Sequence, residues 1–210
     1  MFINIFLVRS GETTWRAQGR LLGRRDMGLS PAGHTQAQAA AAALAGLEVS
    51  EVLSSPLSRA VQTAEYFSEQ HRIQIARDQR LTDLDVGSWE GRFLRDAWEN
   101  DEFRQSLTDE RTTPAVERLE AVRARVVASV EQAVADNPVA TNLILVSHAA
   151  PLRILLAHYL GMPLGHFHRL RVSPGAVSVL RFESDLQRMR VLAVNWAAPV
   201  TEIIAPRRAV

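Results

Sequence analysis

A chain of 210 residues, 47% of them hydrophobic, is long enough to bury a substantial core as one domain of ordinary size. The formal net charge of +1 leaves no general footprint for nucleic acid, so recognition of an anion has to come from a local cluster of cations. Cysteine is absent, which excludes disulfides and thiolate metal sites; with no apolar run near the roughly 18 residues of a membrane span and no signal-peptide pattern at the N-terminus, a cytoplasmic protein without a membrane partner is expected.

Phe2 to Val8 (FINIFLV) is an apolar, β-branched run of strand length that stops at Arg9-Ser10-Gly11. A buried strand with such an ending delivers polar groups to the carboxyl edge of a sheet, where open α/β folds bind ligands. Residues 14–30 hold three glycines and four arginines and read as a loop. Ser30-Pro31 supplies a cap and a first-turn proline for an alanine-rich helix that Gly46 ends. A short strand over Val49–Ser54 follows, then a helix from Pro56 to about Gln70 with Arg59 in its first turn, then a strand over Ile73–Ala76.

Residues 81–113 are polar and irregular, and their helical pieces are expected to cap the site. Thr113-Pro114 opens a long helix to about Asp136, with apolar residues at 116, 119, 122, 126 and 130, and Asn137-Pro138 ends it. Leu143–Ser147 is the central strand, Pro151–Leu160 a helix closed by Gly161, and Ala176–Phe182 with Met189–Ala193 an edge hairpin. The tail from Ala205 to Val210 reads as frayed. Alternating strands and helices predict an α/β fold, a three-layer α/β/α sandwich on a largely parallel sheet. With no repeat and no linker, residues 1–210 read as a single domain.

Arg9, Arg59 and His148 lie far apart in sequence, yet each follows an apolar run. Arginine suits a phosphomonoester because its planar fork grips two phosphate oxygens. Four segments, LVRSGETTW, SSPLSRAVQTA, LTDLDVGSWEG and VSHAAPLR, resemble the signatures of the histidine phosphatase superfamily. This is the phosphoglycerate-mutase-like group, which includes small phosphatases such as α-ribazole phosphatase. The resemblance runs from the first strand to about residue 196.

The resemblance implies a phosphoglycerate-mutase-like fold and a small phosphorylated molecule as ligand, with no cofactor and no metal. It places Arg9, Arg59 and His148 at the phosphate, and Arg20 in the phosphate-facing loop. Asp83 stands where the family usually carries the glutamate that protonates the leaving oxygen, with Asp85 as the alternative. Arg16 stands where an asparagine commonly follows the tryptophan, and either adds a cation to the pocket or faces water. Leu22 replaces a residue that is usually polar. The pair His166 and His168 lacks a nearby third metal ligand.

The main departure is at position 10. The family has Arg-His-Gly where this chain has Arg9-Ser10-Gly11, and that histidine is the family's phospho-accepting nucleophile. A serine hydroxyl attacks phosphorus only when a base or metal activates it. His148 is the base in view, and taking that proton would end its service as a cationic clamp. Losing a nucleophile that works within a unit costs on the order of 10⁵–10⁶ in rate.

Two readings follow: a phosphomonoester hydrolase impaired by Ser10, and a pseudophosphatase that binds a phosphorylated ligand without turnover. A mutase ranks below both, because the chain is short and lacks a long insertion to enclose a bisphosphate donor. The hairpin near residues 176–193 is a candidate homodimer surface.

Overall fold

The computed structural model describes residues 2–108, 116–137 and 141–196. Its strands are β1 (Phe2–Arg9), β2 (Glu51–Ser54), β3 (Ile75–Arg77), β4 (Thr141–Ser147), β5 (Val177–Glu183) and β6 (Arg188–Trp196). They form one six-stranded sheet in the order β3-β2-β4-β1-β5-β6. β1 to β4 run parallel; β5 is antiparallel to β1 and to β6, so among the described strands it alone is reversed. β5 and β6 form the expected hairpin, in which β6 takes the sheet edge and β5 pairs on both sides.

The central strands alternate between two cores, as a sheet covered on both faces requires. Ile5, Leu7, Leu143 and Leu145 face one way, against Val122, Val126 and Val130 of helix α6 (Leu119–Asp136) and the apolar side of α7 (Ala149–Tyr159). Phe6, Val8, Ile144 and Val146 face the other way, against α2 (Pro31–Ala43) and α3 (Ser58–His71). Ala40 and Ala41 of α2 and Ala60 and Ala64 of α3 belong to this second core, where short side chains let the helices lie close to the sheet. The result is the three-layer arrangement the sequence predicts.

Residues 14–30 depart from the expected loop at one end. Thr14–Ala17 forms a short helix, α1, because the Thr13 hydroxyl accepts from the Arg16 amide and caps it. Gly19, at φ +74°, turns the chain out of it. The long helix begins at Leu119 rather than at Thr113-Pro114, which lie outside the described residues, as do Pro138 and the tail expected to fray. Two helices occupy the irregular stretch, α4 (Leu94–Glu99) and α5 (Asp101–Thr108).

Candidate active site

The sheet register sets the site. Arg9 pairs with Ser147 and Ser54 with Val146, so β1, β2 and β4 end together. The Ser10 amide donates to the Ser147 carbonyl (2.8 Å) and the Ser55 amide to that of Val146 (2.9 Å), carrying the ladder one residue further. His148 then caps α7, and Arg59 lies in the first turn of α3. One pocket at this edge is lined by Arg9, Ser10, Arg59, Asp83 and His148, together with Arg16 and Arg20. Every site residue named from the sequence, with Asp85 set aside as the alternative acid, therefore comes to one place.

Arg59 is the hub of the floor. Its Nε donates to His148 Nδ1 (3.1 Å), its Nη1 to the Arg25 carbonyl (2.9 Å), and its Nη2 to the Gly23 carbonyl (2.8 Å) and Asp83 Oδ2 (3.0 Å). A guanidinium only donates, so His148 Nδ1 must be bare. The imidazole proton then lies on Nε2, which donates to Ser55 Oγ at 2.7 Å. Complete burial, then repulsion from Arg59, Arg9 and Arg125, holds the His148 pKa well below its ordinary value. The sequence suggests a cationic clamp; the structure gives a neutral ring with both nitrogens engaged. Asp83 is an acceptor on both oxygens, from the Leu84 amide through Oδ1 (2.9 Å) and from Arg59 through Oδ2.

The other cations differ in how they are bonded. Arg9 is buried and donates from Nη1 to the Val172 carbonyl (2.6 Å). Burial, then repulsion by Arg16 and Arg153, pushes its pKa down to about 9, so it stays protonated at neutral pH. Arg20 donates from Nη1 to the Gly91 carbonyl (2.7 Å) and lies over the Phe93 ring at 4.4 Å. It ties its loop to residues 91–93 as well as lining the pocket. Arg16 has no side-chain hydrogen bond among the described residues. The buried Ser10 hydroxyl likewise has none among them.

Several residues that hold the site were not singled out from the sequence. Arg125, on α6, donates to the carbonyls of Arg80 (2.7 Å), Thr82 (2.6 Å) and Asp83 (3.1 Å) and pairs with Glu117, so it fixes the segment that presents Asp83. Nothing in the helical pattern marks that arginine. Asp26 accepts from the amide and hydroxyl of Ser58 (2.7 and 2.8 Å), capping α3 in place of the apolar Leu57, and those bonds lower its pKa. Thr63 Oγ1 accepts from the Gly11 amide (3.0 Å). A Cβ on Gly11 would lie 2.4 Å from the Gly33 carbonyl oxygen, so only glycine lets the first turn of α2 rest on this loop. Arg153, the last residue of VSHAAPLR, also lines the pocket.

The pocket wall is apolar. Leu94 and Trp98 from α4, Phe103 and Leu107 from α5, and Phe167 from the other side close around the cations. Trp89 packs beneath them, buried against Phe103 with ring centroids 5.1 Å apart. Among the described residues no cluster of histidine and carboxylate side chains has the makings of a metal site. His168 lies beside Trp98, ring centroids 5.5 Å apart. No described helix is long and apolar enough to cross a membrane.

Comparison with known proteins agrees with this geometry. A probable phosphoglycerate mutase GpmB of Shigella boydii is 30% identical over 208 residues, covering 97% of this chain and 96% of the relative. The structure of a putative alpha-ribazole-5'-P phosphatase from Escherichia coli K-12 superposes with a TM-score of 0.80 at 26% identity, covering 93% of this chain and 97% of that one. A phosphoserine phosphatase mutant from Entamoeba histolytica, solved in complex with phosphoserine, shares the fold with a TM-score of 0.82 at 21% identity, over 93% and 98% of the two chains. The family model of the histidine phosphatase superfamily (branch 1) matches residues 5–195, and the chain belongs to that superfamily.

Proposed function

We propose that this pocket binds a phosphomonoester and that the chain is a phosphomonoester hydrolase of the histidine phosphatase type, catalytically impaired by Ser10. The observation that carries the reading is the meeting of Arg9, Arg59 and His148 around the buried Ser10 at one sheet edge. In this reading the phosphoryl group rests over Ser10 and takes its donors from Arg9 and from the N–H that Arg59 has left. Asp83 lies within the same pocket and, once it has taken up a proton and its bond to Arg59 has loosened, gives that proton to the leaving oxygen. α4 and α5 act as a cap whose apolar side chains hold the alcohol part of the ester and exclude water.

The impairment rests on the chemistry of position 10. A serine needs a base, and both nitrogens of His148 are committed, to Arg59 and to Ser55. The same lack bears on a mutase, which also carries the phosphoryl group on its nucleophile, and this sets mutase action below hydrolysis despite the name of the GpmB relatives. The Ser10 hydroxyl, without a hydrogen bond among the described residues, favours a second reading, a pseudophosphatase that keeps the phosphate pocket and senses or sequesters its ligand.

Hydrolysis of p-nitrophenyl phosphate by the chain and by Ser10→His separates the two. The hydrolase reading expects very slow turnover that Ser10→His raises at least about a hundredfold in kcat/KM, a fraction of what a missing nucleophile costs. No rise, with phosphate binding retained in calorimetry, favours the binding protein. Robust metal-independent turnover by the unmodified chain overturns the account of Ser10. Equal or absent phosphate binding in the chain and in Arg9→Ala overturns the pocket itself.

A further inference from the structure

We infer that Glu117 is the positioning residue of the acid: its carboxylate clamps the segment that bears Asp83 to the loop that holds Arg59, and so sets where the proton is delivered. The inference rests on the hydrolase reading above, in which Asp83 gives that proton. Glu117 lies outside the pocket and acts only through its neighbours.

The segment comes first. Thr82 to Val86 lie outside any helix or strand, so their peptide groups need partners elsewhere. Arg125 takes the carbonyls of Thr82 (2.6 Å) and Asp83 (3.1 Å). Glu117 takes both peptide groups of Asp85. Its Oε2 accepts from the Asp85 amide (3.2 Å), and its own amide donates to the Asp85 carbonyl (2.7 Å). The backbone of Asp83 is thus held directly by Arg125 and, two residues on, by Glu117.

The carboxylate joins these holds to the loop. Arg125 meets it as a fork, Nε on Oε1 (2.9 Å) and Nη2 on Oε2 (3.0 Å), which fixes direction as well as distance. The two side chains are only 15% and 16% exposed, so water screens this pair less than a surface pair. Arg24 reaches the same Oε1 through Nη2 (3.1 Å) and donates from Nε to the Asp83 carbonyl (3.4 Å). Arg24 stands between Gly23 and Arg25, whose carbonyls both accept from Arg59.

Two routes therefore run from one carboxylate. One passes through Arg125 and Asp85 to the backbone of Asp83; the other passes through Arg24 to the carbonyls that orient Arg59. They meet at the bond between Arg59 Nη2 and Asp83 Oδ2 (3.0 Å). Without the carboxylate, Arg24 and Arg125 lose the anion they share and the Asp85 amide loses its acceptor. A general acid works only when its proton lies within hydrogen-bond reach of the leaving oxygen, and roughly 1 Å of misplacement costs about a hundredfold.

Leaving-group dependence tests this. Ser10→His is the background, and the readout is the ratio of kcat/KM for p-nitrophenyl phosphate to that for propyl phosphate. Nitrophenolate departs without a proton, whereas propoxide needs one. Glu117→Gln keeps the size and removes the charge. It is expected to raise the ratio at least about tenfold, part of the roughly 10²–10⁴ that a placed acid contributes, with the affinity for inorganic phosphate in calorimetry held within about threefold. Asp83→Asn should raise the ratio further. Glu117→Gln added to Asp83→Asn should raise it no more, because a residue that acts through another does not add to its loss. Glu117→Asp should restore part of the parent ratio. If Glu117→Gln does not fold, Arg24→Gln, on the more exposed side of the same carboxylate, carries the test with an expected rise of about threefold.

An equal loss on both esters overturns the assignment and leaves Glu117 to the scaffold, as does a double variant whose ratio exceeds that of Asp83→Asn. An unchanged ratio in the Glu117 variant, or in its Arg24 substitute, beside a raised one in Asp83→Asn overturns this inference alone. A Ser10→His chain that turns over neither ester, or whose ratio ignores Asp83→Asn, overturns the hydrolase reading and this inference with it.

Discussion

Arg59 and Arg153 line the same pocket, but the regions around them are built in opposite ways. Around Arg59 nearly every donor has a home: Nε on His148, Nη1 on Arg25, Nη2 on Gly23 and Asp83. The hub extends outward through Arg125, which gathers three carbonyls of the segment bearing Asp83. Around Arg153 burial, then the charge of Arg16, lowers the guanidinium's pKa, and its Nε has no hydrogen-bond partner among the described residues. A saturated network rigidifies and positions; an unsaturated one stores free energy that a ligand can release. In the proposed reading Arg59 is therefore as much a strut as a phosphate ligand, whereas Arg16 and Arg153 keep donors that the scaffold does not use.

The strut should break first. Arg59→Ala strands Asp83, bares His148 Nδ1 and frees two carbonyls in a buried setting. Removing one partner of such a buried pair costs about 3–5 kcal/mol. Urea titration of the variant should show that loss together with lost phosphate binding. A variant that binds no phosphate yet keeps full stability would show that Arg59 serves only the ligand.

The difference between the two regions also marks what could be read from the sequence. The strands were legible because β1 and β4 are continuous apolar runs ending in polar residues, as buried parallel strands do. Arg9, Ser10, Arg59 and His148 were legible because each follows such a run, and the four motifs matched a known pattern. The bonding state was not. That His148 is neutral depends on Arg59 reaching it across 89 positions of sequence. That Asp26 caps α3, and that Arg125 holds the Asp83 segment, depends on loop paths no local pattern encodes. Arg153 lies within the segment VSHAAPLR but carries no mark of its own there, because an Nε without a partner among the described residues appears only once the chain is folded.

The second prediction tests the neutral imidazole at the centre of the saturated region. In the unfolded chain His148 takes up a proton near pH 6.5, whereas in the folded chain burial and Arg59, Arg9 and Arg125 oppose it. The unfolded state thus binds more protons below pH 6.5, and stability falls as pH falls through that window. One such group contributes a slope of about 1.4 kcal/mol per pH unit. Denaturant midpoints for the chain and for His148→Asn should diverge in slope between about pH 6.5 and 5. Parallel curves would place the proton elsewhere.

A smaller effect separates the floor from its support. Thr63→Val keeps the shape but leaves the Gly11 amide without its acceptor, so about 1–2 kcal/mol of stability should be lost. Phosphate affinity should fall as well, because Gly11 follows Ser10 in the loop that lines the proposed phosphate pocket. Unaltered affinity beside a clear stability loss would confine Thr63 to packing.

The smallest expected effect has the opposite sign. Arg153→Met keeps a long, flexible stem in the wall and deletes both the Nε that has no partner among the described residues and the charge that Arg16 repels. An unmet buried donor costs about 1–3 kcal/mol. Arg153 is only partly buried, and some stem packing is lost, so the net change should lie between zero and a gain of about 1 kcal/mol. Thermal melts without ligand should show an unchanged or slightly raised Tm. With inorganic phosphate present, the order should reverse, because the ligand stabilises the parent chain in proportion to its affinity and has less to hold in the variant. Such a crossing is what a residue kept for binding at the expense of folding produces. A loss of more than about 1 kcal/mol in the ligand-free variant would show that Arg153 is bonded into the scaffold after all, and the contrast with Arg59 would disappear.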